Sequence, residues 1–578
     1  MSLQVSDKGR VAMLAFGTHG DVLPVAVVAA ELAKSKPNLT ITFITHSAHK
    51  FLEGPLGSAG VFFHPISTAP IVLPPDNAAI DPPHLQSSET GNLKTASKDY
   101  WKRAIEQRHR EECLLAVEQV FGQQSDDSLN FILFNFFALE GWHLAELYQV
   151  PCAVAAPYVV PYSAPASFER KFRAVQPLLY QRLQHSVPGE VGWGEVMHWM
   201  WPLFTDRWTE WRSTSLHLTA CPLTDPVTEL PISQDWPRAP PLLYGFSQAV
   251  VECPGYWPRS IHVCGFWYPP SEWEAMYGHA QSAVVSNTFN DPVKNSADET
   301  RTAPLHCKLL DFLSQSAEID DRPIFIGLSS IGSMGYLKNP ENFLKVILKA
   351  LDTLKRRAVL FTASYQPLDS VILADWSKRE LPSKDVDNVS QYSREDPILL
   401  KDGITLHNNS LFCFSGFVAY NWLFPKCSMV IHHGGSGTTA AALRSGVPQI
   451  ICPFVLDQFY WAERMAWIGV APEPLKPNHL CPSHGEVEFL QAVSAVVNAI
   501  TEASRNGMRG RAAEWGQKIC QEDGVQKFVQ ILSEQLSLNW QLKKIAIATK
   551  HLWSRAWYLS KLLQGALIFI DTNGLEAC

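Results

Sequence analysis

Short apolar runs recur along the first half of the chain, and most are followed by a turn and then by helix-forming residues. Residues 11–16 (VAMLAF) form the first run and 39–45 the second, while 130–136 and 152–156 enclose a helical pattern at 140–148. Runs of this length without regular polar alternation are typical of strands buried on both faces. Strands that alternate with helices predict a parallel sheet covered by helices on both sides.

The same alternation returns in the second half of the chain. The pattern predicts a helix at 305–313, strands at 323–328 and 359–362, and two further strands at 428–431 and 449–452 with a short helix between them. The sequence therefore predicts an α/β protein made of two Rossmann-like domains, each built on a parallel sheet, with helices at the C-terminal end.

Length and local composition predict the domain boundaries. At 578 residues the chain is too long for a single hydrophobic core. We expect a first domain over 1–270, a polar linker over 271–303 and a second domain over 304–538. The second domain is expected to carry a charged surface insertion at 364–403, and a basic extension follows at 539–578.

An aromatic segment interrupts the alternation in the first domain. Its large side chains recur at helical spacing, which is more often the pattern of a core than of a ligand pocket. Both interpretations stay open. The residues concerned are Trp193, Met197, Trp201, Phe204, Trp208 and Trp211.

A glycine-rich turn follows the strand predicted at 428–431. It reads HHGGSGTT over 432–439 and leads into a helix. Glycines let the backbone approach a ligand closely, and the N–H groups at the start of a helix attract anions. The turn therefore predicts a cradle for a diphosphate group.

Acidic side chains, one of them next to an amide side chain, follow two of the predicted strands. Asp457 and Gln458 come after the strand at 449–452, and Asp21 lies in the turn after the first strand. Ligands of open parallel sheets usually bind at this end of the strands. A carboxylate and an amide suit sugar hydroxyls, and Asp21 can act as a general base. A helix N-cap is the alternative role for Asp21 and for Asp457.

The overall composition argues against several classes of protein. The net charge is −8 and 18% of the residues are charged, which points neither to nucleic acid nor to a globally basic membrane binder. Twelve scattered cysteines without a CxxC pair predict neither a zinc site nor a disulfide framework. No metal site is predicted, because the D-x-D at 385–387 lies in a solvated charge run. Since the polar N-terminus lacks a signal peptide and no apolar run could span a bilayer, we expect a cytoplasmic protein.

Together the motifs resemble the nucleotide-sugar signature of sterol 3-beta-glucosyltransferases, which are UDP-glycosyltransferases of the GT-B fold. The family pattern D-W-L-F-P-x-C, H-H-G-G-x-G-T-T, R-x-G-V-P and P-F-x-x-D-Q is matched over 421–458, except that Asn421 replaces its first residue. The resemblance extends from Gly17 to about Leu532. It implies transfer, with inversion, of a hexose such as glucose from a UDP-sugar to the hydroxyl of a lipophilic acceptor, with a sterol as the leading acceptor.

The resemblance also assigns roles to individual residues. It implies that Asp21 is the catalytic base, with His19 beside it in the catalytic turn. It implies no cofactor other than the UDP-sugar donor, and no metal. For His432, a structural role at the end of its strand is the alternative to a contact with phosphate. The residues expected at the donor are Ser330, Val418, His432, Gly434, Gly435, Ser436, Gly437, Thr438, Asp457 and Gln458.

The chain departs from the family pattern at three places. His19 stands where the family commonly has arginine, Ser329 replaces a glycine of G-x-G-S, and the loop 417–422 keeps only Val418 and Trp422 of V-P-H-[DE]-W. These departures leave open a catalytically silent relative that binds a nucleotide-sugar or a lipid. Other lipid, polyketide or phenolic acceptors also stay open.

Residues 539–570 lie beyond the resemblance. They combine tryptophans and aliphatic residues with basic side chains and no acid. A basic amphipathic segment can lie in a membrane interface, or it can dock on its own protein. Peripheral membrane contact through 539–570 is therefore a hypothesis. The basic residues are Lys543, Lys544, Lys550, Arg555 and Lys561.

Overall fold

A computed structural model describes most of both predicted domains. Its two sheets hold strands β1–β7 and β8–β13, in chain order, and its helices of six residues or more are α1–α15. The described residues are 9–69, 91–122, 129–158, 163–204, 208–219, 222–225, 227–232, 236–270, 272–273, 304–315, 322–380, 400, 403–416, 418–483 and 485–536.

The first sheet has seven strands in the order β3-β2-β1-β4-β5-β6-β7, and every neighbouring pair is parallel. The α/β character predicted for this half is confirmed. Three of the seven strands, β3, β6 and β7, were not predicted as strands. β3 contains Pro65 and lies at the sheet edge, where a residue without an N–H is tolerated. The strands are Gly9–Leu14, Leu39–His46, Val61–Ile66, Phe131–Phe134, Cys152–Ala156, Leu242–Tyr244 and Ile261–Val263.

The first helix begins earlier than the sequence suggests. Proline suits the first turn of a helix, which from the sequence would place the start of the helix near Pro24, but α1 starts at His19, so that Pro24 lies inside it. The reason is local, since the Thr18 and Asp21 side chains cap the helix one turn before the proline. The helices of this half are α1 His19–Ser35, α2 Glu53–Ser58, α3 Gly91–Phe121, α4 Glu140–Tyr148, α5 Phe168–Val175, α6 Pro177–Gln184 and α7 Thr209–Thr214.

The aromatic segment is not one continuous helix. A short α-turn at Trp193–Glu195, a π-turn at Val196–Met200 and a 3₁₀ turn at Trp201–Phe204 follow one another. Trp208 and Trp211 are buried in the main core of the first domain, and the other large aromatics of the stripe pack against that core. The structure therefore supports the core interpretation.

The second sheet has six strands in the order β10-β11-β9-β8-β12-β13. All neighbours are parallel except the edge pair β10 and β11. Its strands are Ile324–Gly327, Ala358–Phe361, Ile404–Leu406, Leu411–Phe414, Met429–His432 and Gln449–Ile451. Its helices are α8 Pro304–Ser314, α9 Pro340–Leu354, α10 Gln366–Glu380, α11 Ser436–Ser445, α12 Gln458–Trp467, α13 Glu486–Ala503, α14 Asn506–Cys520 and α15 524–536.

The stretch 364–403, expected as a surface insertion, begins as an ordinary helix of the second domain. Leu368 and Ile372 of α10 are buried in the same cluster as Leu360 of β9. The polar and charged residues around these two positions in the sequence suggested a surface stretch instead. Residues 381–399, which include the D-x-D motif, lie outside the described residues.

The two domains contact each other through α15, the last described helix, and through side chains of α12. α15 packs on the first sheet, because Phe528 and Leu532 are buried with Val11 and Met13. From α12, the Trp461 indole lies against the Phe246 and Phe266 rings of the first domain. The carboxyl ends of the two sheets are therefore brought together.

Several predictions fall on residues that the structure does not describe. They concern most of the linker 271–303 and the whole extension 539–578. Within the described part of the chain, no helix is long and apolar enough to cross a membrane.

Candidate active site between the two domains

The Asp21 turn lies where β1 of the first sheet ends. The Asp21 carboxylate accepts hydrogen bonds from the Thr18 backbone N–H, at 2.6 Å, and from the Thr18 hydroxyl, at 2.8 Å. Gly17 has a φ of +107°, and a Cβ there would lie 2.6 Å from Asp21 Oδ2. Gly17 is therefore needed both for its conformation and for the close approach of the carboxylate.

The capping alternative for Asp21 is partly right. The residue occupies the third position of α1 and completes a capping box with the N-cap residue Thr18, so it is not the N-cap itself. Since a carboxylate has several lone pairs, one oxygen can cap the helix while the group still faces a substrate.

A residue that the sequence did not indicate braces this turn. Asn135 follows β4 directly and is fully buried. Its side-chain amide bonds the backbone of Phe16 and the carbonyl of Asp21. A polar residue directly after a buried strand was the available indication, but its partners are more than 100 positions away in the chain.

The glycine turn lies where β12 of the second sheet ends. Gly434 has a φ of +88°, and a Cβ there would lie 2.8 Å from Ile451 Cγ2 and 3.0 Å from the Gln458 carbonyl oxygen. Gly435 is the N-cap of α11, so the backbone N–H groups of Ser436, Gly437 and Thr438 begin the helix without intrahelical partners. This is the geometry of an anion site.

His432 is placed inside the second domain rather than at the glycine turn's surface. Its Nε2 lies 2.8 Å from Gln449 Oε1, and its Nδ1 accepts a hydrogen bond from the Gly434 N–H. The side chain is fully buried, and burial lowers its pKa to about 4. The geometry favours the structural alternative, in which neutral His432 shapes the turn and the backbone N–H groups meet the anion.

Asp457 and Gln458 lie at the start of α12, after β13. Asp457 is the N-cap residue and accepts a hydrogen bond from the Trp461 indole N–H at 3.0 Å. The Gln458 Oε1 accepts from the backbone N–H groups of Phe454 and Val455. Both side chains are thus held in fixed orientations by their own loop.

Asp21 and Asp457 come close to each other although they belong to different domains. Burial, with a smaller contribution from the nearby Asp21 carboxylate, raises the pKa of Asp457 to about 7. Burial also raises the pKa of Asp21 to about 6, against the two hydrogen bonds from Thr18. Two carboxylates with raised pKa values beside an anion cradle are typical of a functional site.

The remaining predicted residues occupy varied positions. The Ser436 hydroxyl donates to the Pro157 carbonyl of the first domain at 2.7 Å, so it ties the glycine turn to the facing half. Thr438 and Val418 are buried, His19 is exposed at the start of α1, and Ser330 lies in a 3₁₀ turn after β8. Among the described residues, no group of three or more His, Cys, Asp or Glu side chains could hold a metal ion.

Exposed apolar side chains flank the two carboxylates. Leu456 is 59% exposed and Phe459 is 49% exposed, one on each side of the Asp457–Gln458 pair. On the first domain, Phe137 is 37% exposed, and its ring would be 2.9 Å from a Cβ on Gly17. Apolar surface is therefore exposed on both domains near the two carboxylates.

The strained backbone of Ser329 explains why the family has glycine there. Ser329 has a φ of +50°, a left-handed conformation that favours glycine. We expect Ser329→Gly to leave the free energy of unfolding unchanged or higher. Ser329→Val should lower it by about 1–3 kcal/mol, since β-branched residues tolerate this conformation poorly. Urea unfolding of the two variants measures the difference; equal stabilities would contradict the strain.

The fold and the site together define a class of protein. Two Rossmann-like domains that meet at the carboxyl ends of their sheets, with a glycine turn on one and a carboxylate turn on the other, make up the GT-B fold. The fold class predicted from the sequence is confirmed. Residues 412–500 match the family model described as "Erythromycin biosynthesis protein CIII-like, C-terminal domain".

Particular relatives agree with the motif resemblance. The chain is 25% identical to a sterol 3-beta-glucosyltransferase of Arabidopsis thaliana over 82% of its own length and 59% of the relative's. It is 24% identical to a sterol 3-beta-glucosyltransferase of Kluyveromyces lactis, over 94% of its own length and 36% of the relative's. The similarity to sterol 3-beta-glucosyltransferases is therefore confirmed, and the chain spans between about a third and three fifths of these relatives.

A solved structure gives a weaker likeness. The calicheamicin glycosyltransferase CalG4 is 13% identical, with a TM-score of 0.49 over 92% of this chain and 98% of that one.

Proposed function

We propose that the protein is an inverting glycosyltransferase that moves a hexose from a UDP-sugar to the hydroxyl of a lipophilic acceptor. Glucose is the hexose that we propose. The observation that carries the proposal is the junction of the two domains at the glycine turn, where Ser436 donates to the Pro157 carbonyl of the first domain and the Asp21 carboxylate raises the pKa of Asp457 in the second. In this proposal the Asp21 base, the sugar-binding pair Asp457–Gln458 and the anion-binding glycine turn act on one substrate between the two domains. The similarity to sterol 3-beta-glucosyltransferases along most of the chain supports the same reaction.

Each part of the site has a defined task in this reaction. Asp21 takes the proton of the acceptor hydroxyl as its oxygen attacks the anomeric carbon. The N–H groups at the start of α11 stabilise the negative charge that grows on the departing diphosphate. Asp457 and Gln458 hold the sugar hydroxyls and fix the direction of attack. No step of this mechanism requires a metal ion or a further cofactor.

A sterol is the acceptor that we propose. The exposed apolar side chains Phe137, Leu456 and Phe459 beside the carboxylates would suit a flat hydrocarbon body with one hydroxyl. Product analysis by mass after incubation with UDP-glucose and ergosterol tests this choice. A hexose adduct of ergosterol is the expected product; an adduct only with polyketides or phenols would reject the sterol and keep the enzyme.

We propose a cytoplasmic protein with peripheral membrane contact, because a lipophilic acceptor resides in membranes. The predicted contact through 539–570 lies outside the described residues and stays a prediction.

The raised pKa of Asp21 predicts a steep acid limb in the pH profile. Because the base must be ionised, kcat/KM should fall about tenfold per pH unit below the Asp21 pKa of about 6. Asp457→Asn should leave this limb near pH 6, whatever it does to the rate, because Asp457, with its pKa of about 7, is already mostly neutral where Asp21 titrates. Initial rates between pH 4.5 and 8.5 measure both effects. A profile that stays flat to pH 4.5 would remove Asp21 from the role of base.

The silent-relative alternative also has structural support. Its support is Ser329, which has a left-handed backbone conformation where the family pattern has glycine. The chain nevertheless keeps Asp21, Asp457 and Gln458, which the proposed reaction requires. Measurable UDP binding without turnover on any acceptor would favour this alternative.

A further inference from the structure

We propose that Asn135 is a positioning residue that holds the Asp21 base in its working place. The inference rests on the proposed function, since it concerns the same site. Asn135 touches neither substrate, and it acts only through the backbone of the Asp21 turn.

The amide of Asn135 uses its whole hydrogen-bonding capacity on backbone groups. Its Oδ1 accepts from the N–H groups of Phe16 and Phe137, both at 3.2 Å. Its Nδ2 donates to the Phe16 carbonyl at 2.8 Å and to the Asp21 carbonyl at 3.3 Å. Since an amide offers two donors and one accepting oxygen with two lone pairs, all four positions are filled. The side chain is fully buried, so water does not replace these bonds.

These bonds hold the catalytic turn at both of its ends. Phe16 lies at the end of the first strand and Asp21 in the first turn of α1, so the residues between them form a closed loop. A second anchor contacts the middle of the loop, where His49 Nε2 lies 3.0 Å from the Gly17 carbonyl oxygen. A rigid loop matters here, because a misplacement of about 1 Å can cost about 10²-fold in rate.

The same amide also fixes one wall of the acceptor side. The Phe137 N–H is bonded to Asn135, and the Phe137 ring lies against Gly17 beside the carboxylate. Asn135 therefore fixes the position of Phe137 relative to that of Asp21. A change at Asn135 should therefore alter how the acceptor hydroxyl meets Asp21, while the donor site on the other domain is left alone.

Asn130 provides a control at the other end of β4, directly before the strand as Asn135 is directly after it. Its Oδ1 accepts a hydrogen bond from the Arg10 backbone N–H at 3.0 Å, so it too braces the first strand from β4. It does so at the opposite end of the strands, away from Asp21. Asn130→Ala removes the same kind of bond without touching the catalytic turn.

The test compares Asn135→Ala and Asn130→Ala in the full chain, using UDP-glucose and a sterol. For Asn135→Ala we expect kcat to fall about 10²-fold and the acid limb of the pH profile to move, with the Kd for UDP unchanged within about threefold. Asn130→Ala should keep both kcat and the acid limb. If Asn135→Ala does not fold, Asn135→Ser is used instead; its one hydroxyl can replace at most part of the four bonds and adds no charge, so it should show the same pattern.

The outcomes separate this role from the proposed function. Wild-type protein that transfers hexose while the folded Asn135 variants match its kcat and acid limb would overturn only the positioning role. An equal loss of UDP binding and kcat would also overturn it, because Asn135 would then be structural. Wild-type protein that transfers no hexose to any acceptor would overturn the proposed function itself, and the positioning role with it.

Discussion

Asp21→Asn should lower kcat by about 10²–10⁴-fold and leave the affinity for UDP nearly unchanged. The asparagine oxygen can still accept the hydrogen bonds from Thr18, so the start of α1 should stay intact. What is lost is the ionised group that takes the proton of the acceptor. UDP affinity is expected to persist, because the glycine turn that binds the diphosphate belongs to the other domain.

A second acid-to-amide change controls for the loss of charge. Asp225 also accepts backbone hydrogen bonds in a local turn, from Val227 and Thr228, but it is on the surface and no role in the site is assigned to it. Asp225→Asn should therefore keep full turnover. Steady-state rates and calorimetric titration with UDP measure the two variants. If Asp21→Asn loses UDP binding together with turnover, Asp21 is structural rather than catalytic.

Alanine at Gly434 should abolish UDP binding and destabilise the second domain by about 1–3 kcal/mol. The φ of +88° disfavours alanine, and a Cβ would meet Ile451 and the Gln458 carbonyl within 3.0 Å. The turn must therefore shift, and the N–H groups at the start of α11 lose their common direction.

Alanine at Gly437 should separate binding from stability. A Cβ there meets no atom within 4 Å, and the residue is helical, so stability should stay equal or rise. UDP affinity should nevertheless fall if the diphosphate approaches this backbone. Gly510→Ala is the matched control, since Gly510 is also helical with open space around it, in α14. Unchanged UDP affinity in Gly437→Ala would move the diphosphate away from the start of α11.

Most of the fold could be predicted because its strands are buried on both faces. The runs predicted at 152–156 and 428–431 are continuous and mostly apolar, and they became β5 and β12 with a boundary change of at most one residue. Local patterns were misleading where a tertiary contact decides. Pro65 lies in an edge strand, and α10, in a stretch of polar and charged sequence, buries Leu368 and Ile372 in the core of the second domain.

The candidate site was predictable only in its local parts. The glycine turn is one continuous stretch of sequence, and the Asp457–Gln458 pair is another. The structure places each of them at the end of a strand. His432 differs, because the hydrogen bond from its ring to Gln449 links two strands and is invisible in the HHGG run. Asn135 was missed for the same reason, since its partners Phe16 and Asp21 are distant in the chain.

The most direct test of the central claim is the rate of UDP release from UDP-glucose, with and without cholesterol or ergosterol. The proposed reaction predicts slow release alone and a strong, saturable increase with sterol, which Asp21→Asn abolishes. Release that stays at the background rate with sterols and with every other hydroxylated acceptor, although UDP binds, would contradict the claim that this interdomain site transfers sugar.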